Sequence, residues 1–568
     1  MILPHYLISN IFNLILKCSN RASFIKYFVQ KIVLLSKDIN RNVLRKLHVP
    51  CIYLDTKVYT SAGDMYCFEM LERLNIGYGV QLYINPTMIT SNTKYNYLRN
   101  RVVEFNSDST EISQDDIDNL PNCSVFKINI SSYASIGKYL ELDFQSVVSR
   151  YAESDIMLAC YQDFSLDFTK ILSNIYTKLI FMDSKFIDNG IKPYTCNRSI
   201  TATYLYNIKI SKEILSNLLD SLVSLEEFQC EISIPKSSLD QIALIISNSK
   251  AFQTLKTLMI MPFYQTDAEI TWCTLRHILN KPSKLEKLTI DANELVFIYP
   301  ITLANQIENT TIHSFIFKLN KFDRMSFNIL NHWKDPSHLR VLHLCPSTLL
   351  GPCNDPGKFN TLDNVSLRFS ENAQPNTLLL QLIQSNTMTI KRITLAYKNT
   401  LNNVGSTYIN SILSSKCLNL TTLEFSDLSV ANINLFLDSN YSTVQKLTVI
   451  NSEGDTSDFS TLVKAISQNR SLTSFSLLGY NSRRLNTLLL SIDYIFNHVF
   501  SILSNNHQLT YLNLSLTHNQ NFSFSTTKLI RYEQILKLNS TIKQIITGFH
   551  DKQGIIDLFN KYQIKTSL

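Results

Sequence analysis

The sequence predicts an α/β solenoid in which a curved parallel sheet lies inside, helices lie outside, and a small helical module stands at the N-terminus. Three observations support this fold class. A six-residue strand-like pattern returns along the chain, and segments with helical periodicity separate its copies. The chain also has 568 residues, 45% of them apolar, which is more than one compact core usually holds.

The recurring pattern is clearest in PSKLEKLTIDAN, residues 282–293, which reads L-x-x-L-x-I-x-x-N. Twelve segments follow its first six positions: LEEFQC, LKTLMI, LEKLTI, IHSFIF, LRVLHL, LDNVSL, IKRITL, LTTLEF, VQKLTV, LTSFSL, LTYLNL and IKQIIT. The first begins at residue 225 and the last at residue 542, so 317 residues cover 11 intervals of about 28.8 residues each. A period of this length predicts one stacked structural unit per copy.

The segments between these copies have the periodicity of amphipathic helices. Apolar residues recur at i, i+3, i+4 and i+7, with Ser, Thr or Asp near the start as N-cap, in SSLDQIALIISNSKAF, ITWCTLRHILNKPSK, GSTYINSILSSKCLN and DFSTLVKAISQNRS. One strand–helix unit cannot bury its own apolar residues, so neighbouring units must stack. Because a helix is wider than the ~4.8 Å between strands, we expect the array to curve with its helices outside.

These motifs and their period resemble the leucine-rich repeat family, specifically the long, helix-bearing type found in ribonuclease inhibitor. The resemblance covers residues 220–550, and residues 551–568 are then expected to form a C-terminal cap. The asparagine that follows the strand in this family is clear only at Asn293 and Asn320, and Phe, Val or Ile often replaces Leu. These departures indicate irregular curvature.

Weaker strand-like runs continue upstream at intervals of 21 to 30 residues. They are CIYLDT, VQLYIN, RVVEFN, VFKINI, DIMLAC, KLIFMD and TYLYNI, the first starting at Cys51 and the last at Thr203. Because their spacing matches that of the later copies, we interpret residues 48–219 as degenerate repeats. The alternative is an unrelated α/β domain over residues 50–215.

The first 47 residues contain two apolar segments with helical spacing. The first, LPHYLISNIFNLILKC, is similar to the F-box, a three-helix module that docks on the Skp adaptor of cullin-type ubiquitin ligases, and Leu35-Ser36-Lys37 matches that family's later helix. Ile39 departs from the family, which commonly has an aromatic residue there, and the spacing between the helices is slightly long. The resemblance implies that the adaptor-binding residues are Leu3, Pro4, Leu7, Ile8, Ile11 and Phe12. The alternative is a plain cap on the open end of the solenoid.

Alternate strand residues point away from the core and are expected to line a concave face that binds a partner. Met259, Met261, Ile316 and Val341 are apolar at such positions, which indicates either a partner site or strands rotated inward. Arg368, Arg392 and Lys446 form a modest basic group that suits an acidic partner or an ordinary solvated surface. The candidate partner-binding residues are Met259, Met261, Phe263, Tyr264, Lys287, Ile316, Lys318, Val341, His343, Arg368, Arg392 and Lys446.

Several functional classes lack their sequence signals. There is no phosphate loop, G-x-S-x-G elbow, H-E-x-x-H or dinucleotide motif, and the eleven cysteines include no C-x-x-C pair. His332, His338 and His343 are spaced so that they do not share one face. The net charge of +7 includes no long Lys/Arg block, and no run of 18 apolar residues occurs. We therefore expect no enzyme activity, cofactor, metal, nucleic-acid or membrane binding, and reduced cysteines in the cytoplasm or nucleus.

The favoured hypothesis is a substrate-recognition subunit of a cullin-type ubiquitin ligase. Residues 1–47 would bind the Skp-type adaptor, and the solenoid would hold an unknown protein substrate near the conjugating enzyme. The alternative is a repeat scaffold or inhibitor with no ligase link. A third class, a GTPase-activating protein, also uses this solenoid, but its acidic tail has no counterpart in the final residues NKYQIKTSL.

Overall fold

The computed structural model describes residues 5–17, 22–34, 39, 42–55, 62–83, 98–108, 112–130, 141–151, 153–161, 165–166, 168–186, 194–235, 237–263, 268–296, 306–319, 328–344, 353–369, 377–397, 402–426, 428–439, 441–453, 456–481, 492–515, 526–546 and 553–565. The chain forms two compact units. The first is Met1–Asp267 with Pro282–Leu285, and the second is Ala268–Lys281 with Glu286–Leu568.

The first unit alternates strands and helices. Its strands are β1 His48–Asp55, β2 Gly77–Tyr83, β3 Val102–Asp108, β4 Val125–Ile130, β5 Asp155–Cys160, β6 Ser165–Leu166, β7 Lys178–Met182, β8 Lys185–Phe186, β9 Ala202–Lys209, β10 Glu227–Ser233 and β11 Thr257–Pro262. Its helices are α1 His5–Lys17, α2 Ala22–Val33, α3 Ala62–Arg73, α4 Gln114–Asp118, α5 Gln145–Arg150, α6 Phe168–Leu172, α7 Lys212–Ser221 and α8 Leu239–Asn248, with 3₁₀ turns at Leu44–Lys46 and Ala251–Gln253.

Every strand pair of the first unit's sheet is parallel, in the order β1-β2-β3-β4-β5-β7-β9-β10-β11, and the short β6 pairs with β8. One face is buried by the core. Phe105, Phe126, Phe144 and Tyr176 are fully buried there and follow one another at ring-centroid distances of 6.2, 5.5 and 6.0 Å. Such aromatic contacts join successive strand–helix units into one apolar layer.

The N-terminal helices belong to this unit. Helix α1 packs against β1, and α2 packs against both β1 and α3. Phe12 and Phe28 meet edge to face at a centroid distance of 5.4 Å, which fixes α1 against α2. The two helices therefore cover the first strand of the sheet.

The second unit repeats the same organisation. Its strands are β12 Glu269–Thr271, β13 Lys287–Ala292, β14 Glu294–Val296, β15 Ser314–Leu319, β16 Val341–Leu344, β17 Asn364–Phe369, β18 Arg392–Tyr397, β19 Thr422–Ser426, β20 Lys446–Glu453, β21 Ser474–Asn481, β22 Tyr511–Ser515 and β23 Gln544–Ile546. Its helices are α9 Trp272–Asn280, α10 Thr377–Ser385, α11 Asn402–Ser415, α12 Val430–Asp438, α13 Thr456–Gln468, α14 Ile492–Asn505, α15 Thr526–Leu538 and α16 Gln553–Lys561, with 3₁₀ turns at Ile329–His332 and Pro356–Phe359.

Strand β13 pairs in parallel with β15, and the parallel pairing continues in chain order from β15 to β23, while β12 and β14 form a separate parallel pair. Helices α10 to α16 each pack on the next. The buried Trp333 lies 5.8 Å from the rings of both Phe315 and Phe359 and fills the core beside the two 3₁₀ turns.

The prediction of an α/β chain with a long parallel sheet is confirmed. Each of the twelve repeated motifs contains a strand that starts two residues after the motif does. The first motif residue, such as Leu225 or Leu255, is buried in the turn that precedes the strand. Ser238 and Thr271 accept hydrogen bonds from backbone amides three residues on, as expected of N-caps. The upstream runs are strands too, and β9 and β10 pair across the proposed boundary at residues 219 and 220.

Candidate functional site

The open face of each sheet consists of the strand residues that alternate with buried ones. In β4 and β10 of the first unit, half-buried and buried side chains alternate along the strand. Core residues cover one side of these strands, so the other side presents a row of side chains to a partner. This open face is the candidate functional site.

Charged residues on the first part of this open face are paired with one another. The Glu104 carboxylate accepts hydrogen bonds from Gln81 at 2.9 Å and from Lys127 at 2.5 Å. The Asp155 carboxylate forms an ion pair with Lys178 at 2.9 Å. Between β2 and β7 these acidic groups are thus neutralised within the sheet.

The composition of the face changes at β9. Ile180, Tyr204, Gln229 and Met259 stand side by side on four successive strands, and Glu231 is in register with Met261. We call the group of half-buried residues on β9, β10 and β11 the tyrosine–glutamate patch; it consists of Tyr204, Tyr206, Glu227, Gln229, Glu231, Met259 and Met261.

Hydrogen bonds connect the polar members of this patch. The Tyr206 hydroxyl donates to Gln229 Oε1 at 2.9 Å, and Gln229 Nε2 donates to Glu227 Oε1 at 2.7 Å. The rings of Tyr204 and Tyr206 stack at a centroid distance of 6.4 Å with an interplanar angle of 19°. Burial and a hydrogen bond to Glu227 raise the pKa of Tyr204, so its hydroxyl stays protonated and acts as a donor.

The two glutamates of the patch have no cationic partner within the part of the chain that the structure describes. Among the residues that the structure describes, neither Glu227 nor Glu231 forms an ion pair. Burial, and then the nearby Asp183 carboxylate, raise the pKa of Glu231. A carboxylate that loses solvent without gaining a cation is held at a free-energy cost. The patch is therefore a locally acidic, partly aromatic surface on a chain whose net charge is +7.

The predicted partner-binding residues divide between the two units. Met259 and Met261 are half-buried in the patch, and Phe263 is half-buried just after β11, whereas Tyr264 lies outside the described residues. Ile316 and Val341 are half-buried on the open face of the second unit. There Ile316 is in register with His343, and Val341 with Ser314. The four apolar residues of the predicted group thus fall as one pair in each unit.

An ion pair reduces the positive charge that the predicted basic group offers to a partner. Arg392 on β18 contacts Glu424 on β19 at 2.6 Å, so its charge is matched within the sheet. Lys446 and Lys287 are exposed, and Lys318 is half-buried in register with Asp291. Arg368 lies in β17, but its side chain is outside the described part of the chain.

The predicted adaptor-binding residues occupy different sides of α1. Leu7 and Ile11 are 36% and 44% exposed and continue as a row to the exposed Ile15, one helical turn apart each time. Ile8 is half-buried, and Phe12 faces Phe28 of α2. Leu3, Pro4 and the Leu35-Ser36-Lys37 match lie outside the described residues. The solvent-exposed row of Leu7, Ile11 and Ile15 is therefore the part of the predicted site that is available for docking.

The predicted histidines and a surface pocket have weaker support as functional sites. His332 packs on Trp272 at a centroid distance of 5.1 Å, and burial lowers the pKa of His332. Within the described ranges, no three His, Cys, Asp or Glu side chains could hold one metal ion. A surface pocket of about 450 Å³ is lined by His313, His338, Arg340, Thr361, Asp363, Met388, Thr389 and Lys391. Its Arg340 already pairs with Asp363 at 2.8 Å, which reduces its attraction for an anion.

Reasoning from the sequence missed Tyr204 and Tyr206. The run TYLYNI predicts a strand, and the order Tyr204-Leu205-Tyr206, with the tyrosines two residues apart, is the signal that both rings share one face. Among the helices that the structure describes, none is long and apolar enough to cross a membrane. Neither a known family model nor a curated protein matches this chain.

Proposed function

We propose that this protein is a non-enzymatic protein-interaction protein built from leucine-rich-repeat arrays, with each unit's sheet curved inside its helices. The observation that carries the proposal is the long series of parallel strands in both units with one buried face and one open face. Such a surface binds by shape and side-chain chemistry over several strands at once. The open face holds a protein partner.

The exposed row on α1 supports a more specific role. Leu7, Ile11 and Ile15 form an apolar stripe on the surface of a helix that also resembles the first helix of an F-box. Docked on a Skp-type adaptor, this stripe would link the repeat units to a cullin-type ubiquitin ligase in the cytoplasm or nucleus. The protein would then act as the substrate-recognition subunit, contributing proximity and no bond chemistry.

The test is direct binding of a purified Skp-type adaptor to the full chain. A double variant, Leu7→Asp with Ile11→Asp, should weaken binding at least tenfold, because charged groups would be buried at the interface. Leu418→Asp is the matched control, since Leu418 is 60% exposed in the second unit and lies outside the stripe. Point variants are preferable to deletion because α1 and α2 cover β1.

Absence of adaptor binding by the unaltered chain would favour the second candidate, a repeat scaffold without a ligase link. One observation already fits that candidate. The contacts of α1 and α2 with β1 are those of a cap that shields the first strand from solvent.

A further inference from the structure

We propose that the tyrosine–glutamate patch binds arginine side chains from a basic segment of the partner protein. This inference rests on the proposed function, because it assumes that the open face holds a protein. It adds the chemical class of the segment recognised and places it on β9, β10 and β11 of the first unit.

Charge complementarity is the first step. Two acidic residues on other strands of this face already have cations, because Glu104 pairs with Lys127 and Asp155 pairs with Lys178. Glu227 and Glu231 have none among the described residues, although they lie on the same face of one strand, four residues apart with Gln229 between them. A cation from a partner would supply what the neighbouring acidic groups obtain within the sheet.

The aromatic rings are the second step. A cation over a tyrosine ring within ~6 Å of its centroid is attracted by the ring's electrons. The rings of Tyr204 and Tyr206 are nearly parallel, with centroids 6.4 Å apart and 19° between their planes, so a planar cation can lie against the face of either ring. Met259 and Met261 flank the acidic strand on β11 and offer polarisable, adaptable contacts to the apolar stem of the same side chain.

The hydrogen-bond network is the third step. Donation from Tyr206 and Gln229 fixes the side chains that surround Glu227 before a partner arrives, which lowers the entropy lost on binding. Glu231 forms no hydrogen bond among the described residues, so both of its oxygens can accept. A planar guanidinium can donate two bonds to one carboxylate and lie against a ring, whereas an ammonium group cannot do both as well. Arginine is therefore preferred over lysine.

The test uses the full chain and a fluorescent eight-residue peptide of alternating arginine and serine, measured by anisotropy. A second peptide has citrulline, a neutral isostere, in place of each arginine. We expect the citrulline peptide to bind at least tenfold more weakly, and Glu231→Gln to weaken arginine-peptide binding about fivefold. Glu226→Gln is the matched control, because exposed Glu226 lies one residue from the patch and pairs with Lys256. It should change affinity less than twofold.

Equal binding of both peptides, or an equal loss with Glu226→Gln, would overturn the inference. A version of the arginine peptide with a photo-activated cross-linker separates this failure from that of the proposed function. Cross-links to β9–β11 support the patch. Cross-links confined to other open-face strands would contradict the patch and support the protein-binding function. Absence of cross-links from every open face would contradict the patch, while the proposed function is tested separately by the adaptor-binding assay.

Discussion

The side-chain amide of Asn506 donates to the backbone carbonyl of Asn469 at 2.9 Å, and Asn539 donates in the same way to the carbonyl of Asn506 at 3.0 Å. Each of these buried asparagines also accepts, through Oδ1, from backbone amides two and three residues later. They form a ladder in the turns that precede β21, β22 and β23. The ladder satisfies backbone groups that the core hides from water.

Replacing Asn506 by alanine should destabilise the second unit by at least ~2 kcal/mol, because several buried backbone groups would lose their partner. The measurement is the denaturant midpoint followed by tryptophan fluorescence. Both tryptophans of the chain, Trp272 and Trp333, are buried in this unit. Asn505→Ala is the control, since the adjacent Asn505 is exposed and its side-chain amide donates to Ser501 and Ser504 at the end of α14. A similar midpoint for the two variants would contradict the ladder's role.

The strands were predictable from sequence because their apolar residues repeat at fixed spacing, and the ladder was not. The family pattern directs attention to an asparagine after the strand, as at Asn293, whereas the buried ones precede it in the form N-x-x-L or N-x-x-I. In a chain rich in asparagine, such a pattern stands out only when burial is known. Asn197 and Asn309 follow it too, with their Oδ1 atoms accepting from amides two and three residues on.

The tyrosine–glutamate patch was only partly predictable for a different reason. Met259 and Met261 were identified because they are apolar at open-face positions. The position of Tyr206 opposite Glu231, however, depends on a shift of strand register between Cys230 and Ile232, which sequence spacing alone does not reveal. Likewise, the sequence gives no sign that Arg392 pairs with Glu424, 32 residues away.

Cys51 should react far more slowly than its partial exposure suggests. Burial, with a contribution from the Glu104 carboxylate, raises the pKa of Cys51 from 9.0 to about 12. Only the thiolate is nucleophilic. Alkylation by iodoacetamide at pH 8, located by mass spectrometry, should therefore be at least ~100-fold slower in the folded protein than in urea. The exposed Cys273 should show little difference between the two conditions. Comparable slowing at both residues would point to a general effect of folding.

The stability of the second unit should fall as pH decreases below about 6.5. Burial lowers the pKa of His498 from its ordinary value of 6.5, and its ring lies 4.3 Å from that of Tyr494. In this range the unfolded chain binds more protons than the folded chain, so stability rises with pH and is lost as pH falls. His332 contributes with the same sign.

His498→Gln should reduce the difference between guanidinium midpoints at pH 7.5 and pH 5.5, followed by tryptophan fluorescence. His507→Gln replaces an exposed histidine in the next turn and is the control. An unchanged pH difference in the His498 variant would show that other groups account for the acid sensitivity.

Replacing Asn207 by glycine should leave the stability of β9 almost unchanged, whereas replacing it by valine should lower that stability. Its φ of 55° is left-handed, and the register between β9 and β10 shifts there, so that Tyr206 and Asn207 together oppose Glu231. This bulge lets Tyr206 lie on the open face while Ile208 returns to the core. A β-branched residue in this conformation costs ~1–2 kcal/mol, whereas glycine adopts it readily.

Hydrogen exchange of the amides in β9 is the appropriate measurement, because the chain's tryptophans lie outside the first unit. Asn207→Val should accelerate exchange in β9 by about 5- to 30-fold, the factor that 1–2 kcal/mol represents. Asn207→Gly removes the hydrogen bond to Asp183 but keeps the bulge, so its exchange should stay close to that of the unaltered chain. If glycine and valine accelerate exchange equally, the Asn207–Asp183 contact, and not the backbone conformation, holds the bulge that positions Tyr206.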